Sequence, residues 1–307
     1  MTKIKFSVLI IAVPFTASVL AGGEAFTPEK LSGSISTGLL SGEAKGKAYN
    51  PEAGGQIKQL KWKYKNAAII KGNIDWDLFP WVSLGASGWT TYASRSAHLD
   101  DYKWKEVKQN KSTDYPSSPS SKLNYANYYD LNIKGWILNE PDYRLGLMLG
   151  YQQSAFSWTA KSRGYNYNHG TDPGMLKSGS SGPANKQKIG FLYVGLTGFY
   201  RYDKWEVNGA FKLNTWGKAS DNDEQYSKNA KFISDGSSLK YYSLAADVGY
   251  YVTDNAKVYI EGTWNRMRNA KGNVTLHDYA NVKKNIPGVA GIENNYYMVT
   301  AGLRYTF

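Results

Sequence analysis

Apolar and polar side chains alternate at every second position through most of the chain. Val82, Leu84, Ala86 and Gly88 share one face against Ser83, Gly85 and Ser87. Leu131, Ile133 and Ile137 oppose Asn132, Lys134 and Trp136, and Leu145, Leu147, Leu149 and Tyr151 oppose Arg144, Met148 and Gln152. The same pattern runs through Leu192–Tyr200, Tyr242–Tyr250 and Val258–Trp264. Successive side chains of a strand point to opposite faces, so each segment reads as a strand with one apolar and one polar side. The last segment is the clearest. Every odd position from Tyr297 to Phe307 is aromatic, aliphatic or Ala, while the even ones after Met298 are Thr300, Gly302, Arg304 and Thr306. An aromatic last residue on such a strand is typical of strands that close a bacterial outer-membrane barrel.

Period alone does not separate a barrel from a soluble sandwich; the spacing of the breaks does. Short turns are expected near Asp77–Trp81, Asn139–Asp142, Tyr202–Lys204 and Thr253–Asn255. Between them lie long polar stretches, Ser41–Gln59, His98–Lys122, Ala160–Gln187, Lys218–Ser238 and Asn269–Asn294. Short turns on one side and long loops on the other is the outer-membrane arrangement. Four turns and five loops predict an all-β fold, a ten-stranded antiparallel transmembrane β-barrel with five extracellular loops. Strands of this length are expected to project beyond the membrane and carry the loops on a stalk.

The N-terminus agrees. Lys3 and Lys5 precede an apolar run from Phe6 to Leu20, and Val19-Leu20-Ala21 offers a small-residue exit. This predicts a secretory signal peptide over residues 1–21 and one barrel domain over 22–307. After it no run reaches the roughly 18 to 20 apolar residues of a spanning helix, so only a closed barrel of strands satisfies the backbone in lipid. The mean hydropathy of −0.51 fits, because half of each barrel strand faces water. With 25 Tyr and 10 Trp the chain can furnish interfacial girdles, and without Cys it has no disulfide framework. The formal charge of +12 falls to +10 when Lys3 and Lys5 leave. No compact Lys/Arg block points to nucleic acid; basic loops beside an anionic lipopolysaccharide leaflet account for the charge.

Metal and nucleotide chemistry find little support. His98, His169 and His277 fall in three different predicted loops with no close His pair, and no Gly-rich phosphate loop opens a helix. Two acidic clusters stand out, Asp100-Asp101-Tyr102-Lys103-Trp104 and Asp221-Asn222-Asp223-Glu224-Gln225. Asp101 and Lys103 share one strand face, and Asp221, Asp223 and Gln225 share another. Acids on opposite walls of a barrel mouth can flank a groove and hold a water between them. Charged loops facing solvent would read the same way.

Several stretches resemble the omptins, surface endopeptidases of Gram-negative outer membranes. They include Asn66-Ala67-Ala68-Ile69-Ile70-Lys71-Gly72, Gly88-Trp89-Thr90-Thr91, Leu123-Asn124-Tyr125-Ala126-Asn127 and Asp130-Leu131-Asn132-Ile133-Lys134-Gly135-Trp136. Ser220-Asp221-Asn222-Asp223-Glu224, Gly249-Tyr250-Tyr251-Val252-Thr253, Ala290-Gly291-Ile292-Glu293-Asn294 and Thr300-Ala301-Gly302-Leu303 continue the match. The resemblance implies a ten-stranded barrel that activates a water between an Asp–His pair and an Asp–Asp pair. It places the first Asp at Asp223 and one acid of the second pair at Asp101. Here the sequence departs: the His position reads Gln225 and the other acid position reads Lys103. A Gln amide does not titrate near neutral pH and cannot take a proton as imidazole does. A Lys beside Asp101 holds it as a carboxylate and makes it a poorer base.

The resemblance implies a substrate-binding acid at Asp221 and a second in the first loop, where this chain has Gly46 flanked by Lys45 and Lys47. It implies lipopolysaccharide binding through Tyr151 and Lys188, with Lys in place of the usual Arg, whereas Gln153 and Ala155 replace that motif's Glu and Arg. The expected activities are three: a degenerate peptidase acting in surface binding or adhesion, an active endopeptidase cleaving near basic residues through Asp101 and Asp223, or a purely structural barrel. No metal or cofactor is expected beyond lipopolysaccharide as for the family. A peptide or host-surface ligand and a monomeric state complete the expectations.

Overall fold

The computed structural model describes residues 31–93, 95–106, 109–160, 164–175, 183–214, 216–225, 230–237, 239–278 and 283–307; the expected signal peptide lies outside these. The alternating segments become strands β1 (Leu31–Tyr49), β2 (Gln56–Phe79), β3 (Val82–Thr91), β4 (Arg95–Lys103), β5 (Ser117–Asn139), β6 (Tyr143–Thr159), β7 (Gly164–Tyr167) and β8 (Asp172–Met175). There follow β9 (Ala184–Tyr202), β10 (Trp205–Asn214), β11 (Gly217–Gln225), β12 (Ala230–Gly236), β13 (Lys240–Tyr251), β14 (Ala256–Asp278) and β15 (Lys283–Thr306).

A path of antiparallel pairings runs from β1 through β2, β3, β5, β6, β9, β10, β13, β14 and β15, then returns to β1. The sheet is thus a closed ring. Above this level β4 continues the line of β3 between β2 and β5, and β11 and β12 continue β10 and β13 between β9 and β14. The four short turns fall where the spacing of breaks places them. The long loops are shorter than expected, because β1, β2, β9, β11, β12, β14 and β15 run through much of the polar stretches that read as loops. Pairing satisfies the backbone there whatever the hydropathy of the side chains, so polarity alone did not mark the strand ends.

The outward face of the lower ring is apolar. Leu147 and Leu149 are 54% and 57% exposed, and Leu131, Leu192, Val194, Ile260 and Val299 are exposed with them. Leu145, Leu147 and Leu149 therefore face lipid, as do the odd positions of the C-terminal strand. Exposed Phe79, Trp81, Tyr202, Trp205 and Phe307 border this band near the short turns, and Tyr129, Tyr151, Trp264 and Tyr297 border it opposite. No helix among the described residues is long and apolar enough to cross a membrane. A barrel strand needs about 9–11 residues to cross, while β2 and β15 each have 24. The surplus forms the stalk.

Inside the lower ring the side chains are polar and paired. Lys212 lies 2.7 Å from Asp130, Lys257 2.6 Å from Glu206, Arg144 2.8 Å from Asp77 and Arg304 3.1 Å from Asp75. They line a cavity of about 680 Å³. Aromatic side chains form its roof and rise above it: Trp89 stacks on Tyr128 at 5.8 Å, Phe156 on Trp158 at 5.7 Å, and Trp158 on Trp62 at 5.9 Å. Trp62, Phe156 and Trp158 are almost wholly buried. The mouth of the barrel sits on this layer.

One local irregularity sets the inner surface of the mouth. In β2, Ala67 and Ile69 face inward, yet Leu60, Trp62 and Tyr64 face inward too, an even set above an odd one. The change of parity occurs at Asn66, which has φ 53° and sits at a register shift against Leu40 and Gly42. The backbone N–H of Asn66 donates to Ser41 Oγ at 2.9 Å. An extra residue in one strand of a pair swaps every later side chain to the other face.

Candidate functional site

On β4 the alternation buries Ala97, Leu99 and Asp101 inward, while His98 and Asp100 lie on the outer side. Asp100 is wholly buried under the loop that follows β4. It accepts hydrogen bonds from Tyr115 OH at 2.5 Å and Lys63 Nζ at 2.9 Å, and lies 2.7 Å from His98 Nε2. Burial pushes its carboxyl up, but these donors and the charges of His98 and Lys63 outweigh that and hold it below the usual range. His98 therefore belongs to Asp100 and faces away from Asp101. It is on a strand and not in a loop, as is His277 on β14, because the strands extend through those polar stretches; His169 is exposed in a short turn.

The second cluster lies on β11, where Asp221 and Asp223 are 4% and 8% exposed and point inward. Asp221 accepts a hydrogen bond from Asn185 Nδ2 on β9. Burial pushes its carboxyl up to about 7; the Asn185 bond opposes the rise and the charge of Asp223 adds to it. Asn294 Nδ2 donates to Gln187 Oε1 at 2.7 Å beside it, so an amide cluster backs this wall. Gln225 ends β11 with its backbone opposite Ala230.

Asp101 and Asp223 are on different strands of the ring, and a third residue spans the space toward Asp223. Lys58 of β2 stands opposite Lys103 of β4 in register. Its ammonium reaches Asp223 Oδ2 at 3.5 Å, over the ring of Phe232 on β12 at 5.8 Å. The β2–β4 wall and the β11–β12 wall are therefore within one lysine's reach of each other. Sequence reasoning missed Lys58 because Ser41–Gln59 read as loop. Its even spacing with Leu60, Trp62 and Tyr64 was the available signal.

Gly46 on β1 faces Asp221: a Cβ there would lie 2.8 Å from Asp221 Oδ2. Lys45 and Lys47 flank it in sequence but lie on the outer side. Lys47 pairs with Glu293 at 2.5 Å and Lys45 with Glu43 at 2.8 Å, so neither adds free charge to the groove. Tyr151 and Lys188 are exposed on the outer wall of β6 and β9, above the apolar band. Tyr151 OH donates to Gln153 Oε1 at 3.5 Å, and Lys188 stands opposite Ala155. No group of three or more metal-binding side chains occurs among the described residues.

The Omptin family model matches residues 27–307. The chain belongs to the omptin family. Protease 7 of Escherichia coli K12 is 46% identical over 97% of this chain and 98% of its own length. The plasminogen activator of Yersinia pestis is 42% identical over 92% of this chain and 91% of its own. The crystal structure of the outer membrane protease OmpT from Escherichia coli superimposes with a TM-score of 0.89 at 46% identity, covering 93% of this chain and 99% of that one. This omptin is an outer-membrane β-barrel with loops at the cell surface.

Proposed function

We propose that this omptin is a degenerate peptidase whose mouth groove binds peptide at the cell surface, in a binding or adhesion role, without turning it over efficiently. The observation that carries the reading is the state of Asp223. It is ion-paired to Lys58 across the groove, and two residues on the strand ends in Gln225 in place of a titrating imidazole. A Gln amide cannot take a proton as an imidazole does, and a single general base typically contributes about 10²–10⁴-fold. Lys103, two residues after Asp101 on β4, puts a cation where a second acid would complete the other pair.

A second reading is an active endopeptidase using Asp101 and Asp223 to activate water, as two acids do in other folds. The names of the relatives, which are proteases, favour it. Tyr151 and Lys188 on the outer wall support contact with lipopolysaccharide, with Lys supplying charge but not the two-pronged geometry of Arg.

The purified protein, refolded with lipopolysaccharide, is assayed on peptides with paired basic residues. The degenerate reading expects very slow or no cleavage, and expects Lys103→Asp with Gln225→His to raise it. Efficient cleavage by the unaltered protein, lost in Asp101→Ala, would overturn it in favour of the two-acid mechanism.

A further inference from the structure

Lys58 crosses from the β2–β4 wall to Asp223 of β11, and its position has an electrostatic cause. In register with Lys103 it faces a like charge directly across the strand pair, which is unfavourable. Asp223 on the far wall relieves it at 3.5 Å, and the Phe232 ring, in register with Asp223, lies under the ammonium. The parity change at Asn66 is what turns Lys58 inward in the first place. With the bridge in place Asp101, Asp221 and Asp223 are 3%, 4% and 8% exposed.

We propose that Lys58 is a tethered occupant of the groove, its ammonium held at Asp223, beside Asp221 on the same face of β11, and competing there with a basic side chain of a bound peptide. This rests on the groove being a peptide site, as proposed above. Lys58 then sets specificity in two ways. It competes with cationic side chains for Asp223, and with Lys103 it gives the β2–β4 wall a positive character that favours neutral or acidic segments there. The bridge is openable. Both partners keep some solvent exposure, 26% and 11% of their side chains, and an ion pair of that kind is weak. Displacing it should cost a ligand roughly two- to fivefold in affinity.

The test uses the full mature protein refolded in detergent with lipopolysaccharide. Its binding to a labelled peptide centred on Arg-Arg, and to the same peptide with both Arg replaced by neutral citrulline, is followed by fluorescence anisotropy. Lys58→Met should bind the Arg-Arg peptide roughly two- to fivefold more tightly than the parent and the citrulline peptide equally well. Lys58→Arg, which keeps the cation, should behave as the parent. Equal affinity of Lys58→Met and parent for the Arg-Arg peptide overturns the proposal and leaves the peptide groove standing. Binding of neither peptide by any form overturns both. A second measurement needs no change at Lys58: acylation of its amine, read by mass spectrometry, should be several-fold faster in Asp223→Asn than in the parent. An unchanged rate shows that Asp223 does not hold Lys58 and overturns the proposal.

Discussion

The interior of the barrel at the level of the membrane and the interior of its mouth are both lined with charge, but the charges are arranged differently. Below the aromatic layer, acids meet cations from strands two or three places away round the ring: Asp130 has Lys212 at 2.7 Å, Glu206 has Lys257 at 2.6 Å, and Asp75 has Arg304 at 3.1 Å. Above the layer, Asp221 is held by an amide, and Asp223 by a lysine from the opposite wall at 3.5 Å. The first arrangement locks strands together inside a lipid-facing shell. The second leaves one carboxyl raised to about 7 by burial and one longer ion pair between the walls. Short ion pairs hold the lower ring, and a longer one spans the mouth.

The largest effect expected of that contrast comes from breaking a lower pair. Lys212→Met leaves Asp130 buried and without its cation, which should cost about 3–5 kcal/mol. Tyr128 and Tyr193 hydroxyls still donate to Asp130, at 3.0 and 2.9 Å, so the loss should fall at the lower end of that range. Urea unfolding in detergent, followed by the heat-modifiable shift in gel mobility, reads it directly. A change below 1 kcal/mol would mean that the lower pairs are no more structural than the mouth.

Next in size is the shell. Leu147 faces lipid on β6, so Leu147→Arg near the midplane should cost roughly 2–4 kcal/mol and slow insertion into liposomes. Stability equal to the parent would place the lipid face elsewhere.

The mouth should respond to pH where the lower ring is locked. Asp221 has its carboxyl raised from the ordinary 3.8 to about 7 by burial. The folded protein thus holds this proton more tightly than the unfolded chain. Its contribution is neutral below about 4, and stability falls as pH rises toward 7 and stays reduced above it. Asp221→Asn should remove that slope: no gain at pH 4, and a gain of roughly 1–3 kcal/mol at pH 8, allowing for relaxation around the site. Parallel stability curves for parent and variant would show that Asp221 is ionised at little cost.

The smallest effect is expected at the bridge. Lys58→Met should change unfolding stability by less than about 1 kcal/mol, in contrast with Lys212→Met. A loss as large as that of Lys212→Met would make the bridge a structural pair and remove the distinction between the two regions.

Much of this was legible in the order of residues. Period-2 alternation marked the wall strands, and the side of each strand that faces lipid followed from Leu145, Leu147 and Leu149 on one face and Arg144 on the other. Asp101 with Lys103, and Asp221 with Asp223, could be assigned to common faces because each pair lies within one uninterrupted strand. The extent of the strands was not legible, since backbone pairing does not require apolar side chains and Ser41–Gln59 or Lys218–Ser238 look like loop by composition.

The sequence by itself determined the barrel class, the lipid face and that position 225 is Gln and not His, because alternation and residue type are local properties. Only the tertiary structure decided which face of upper β2 turns inward. That depends on one extra residue at Asn66, held by Ser41 of the neighbouring strand, and a shift of one residue reverses every side chain beyond it. It also decided that Gly46 lies against Asp221 and that Lys58 meets Asp223. Those partners are far apart along the chain, and only closure of the ring brings their walls within reach of a single side chain.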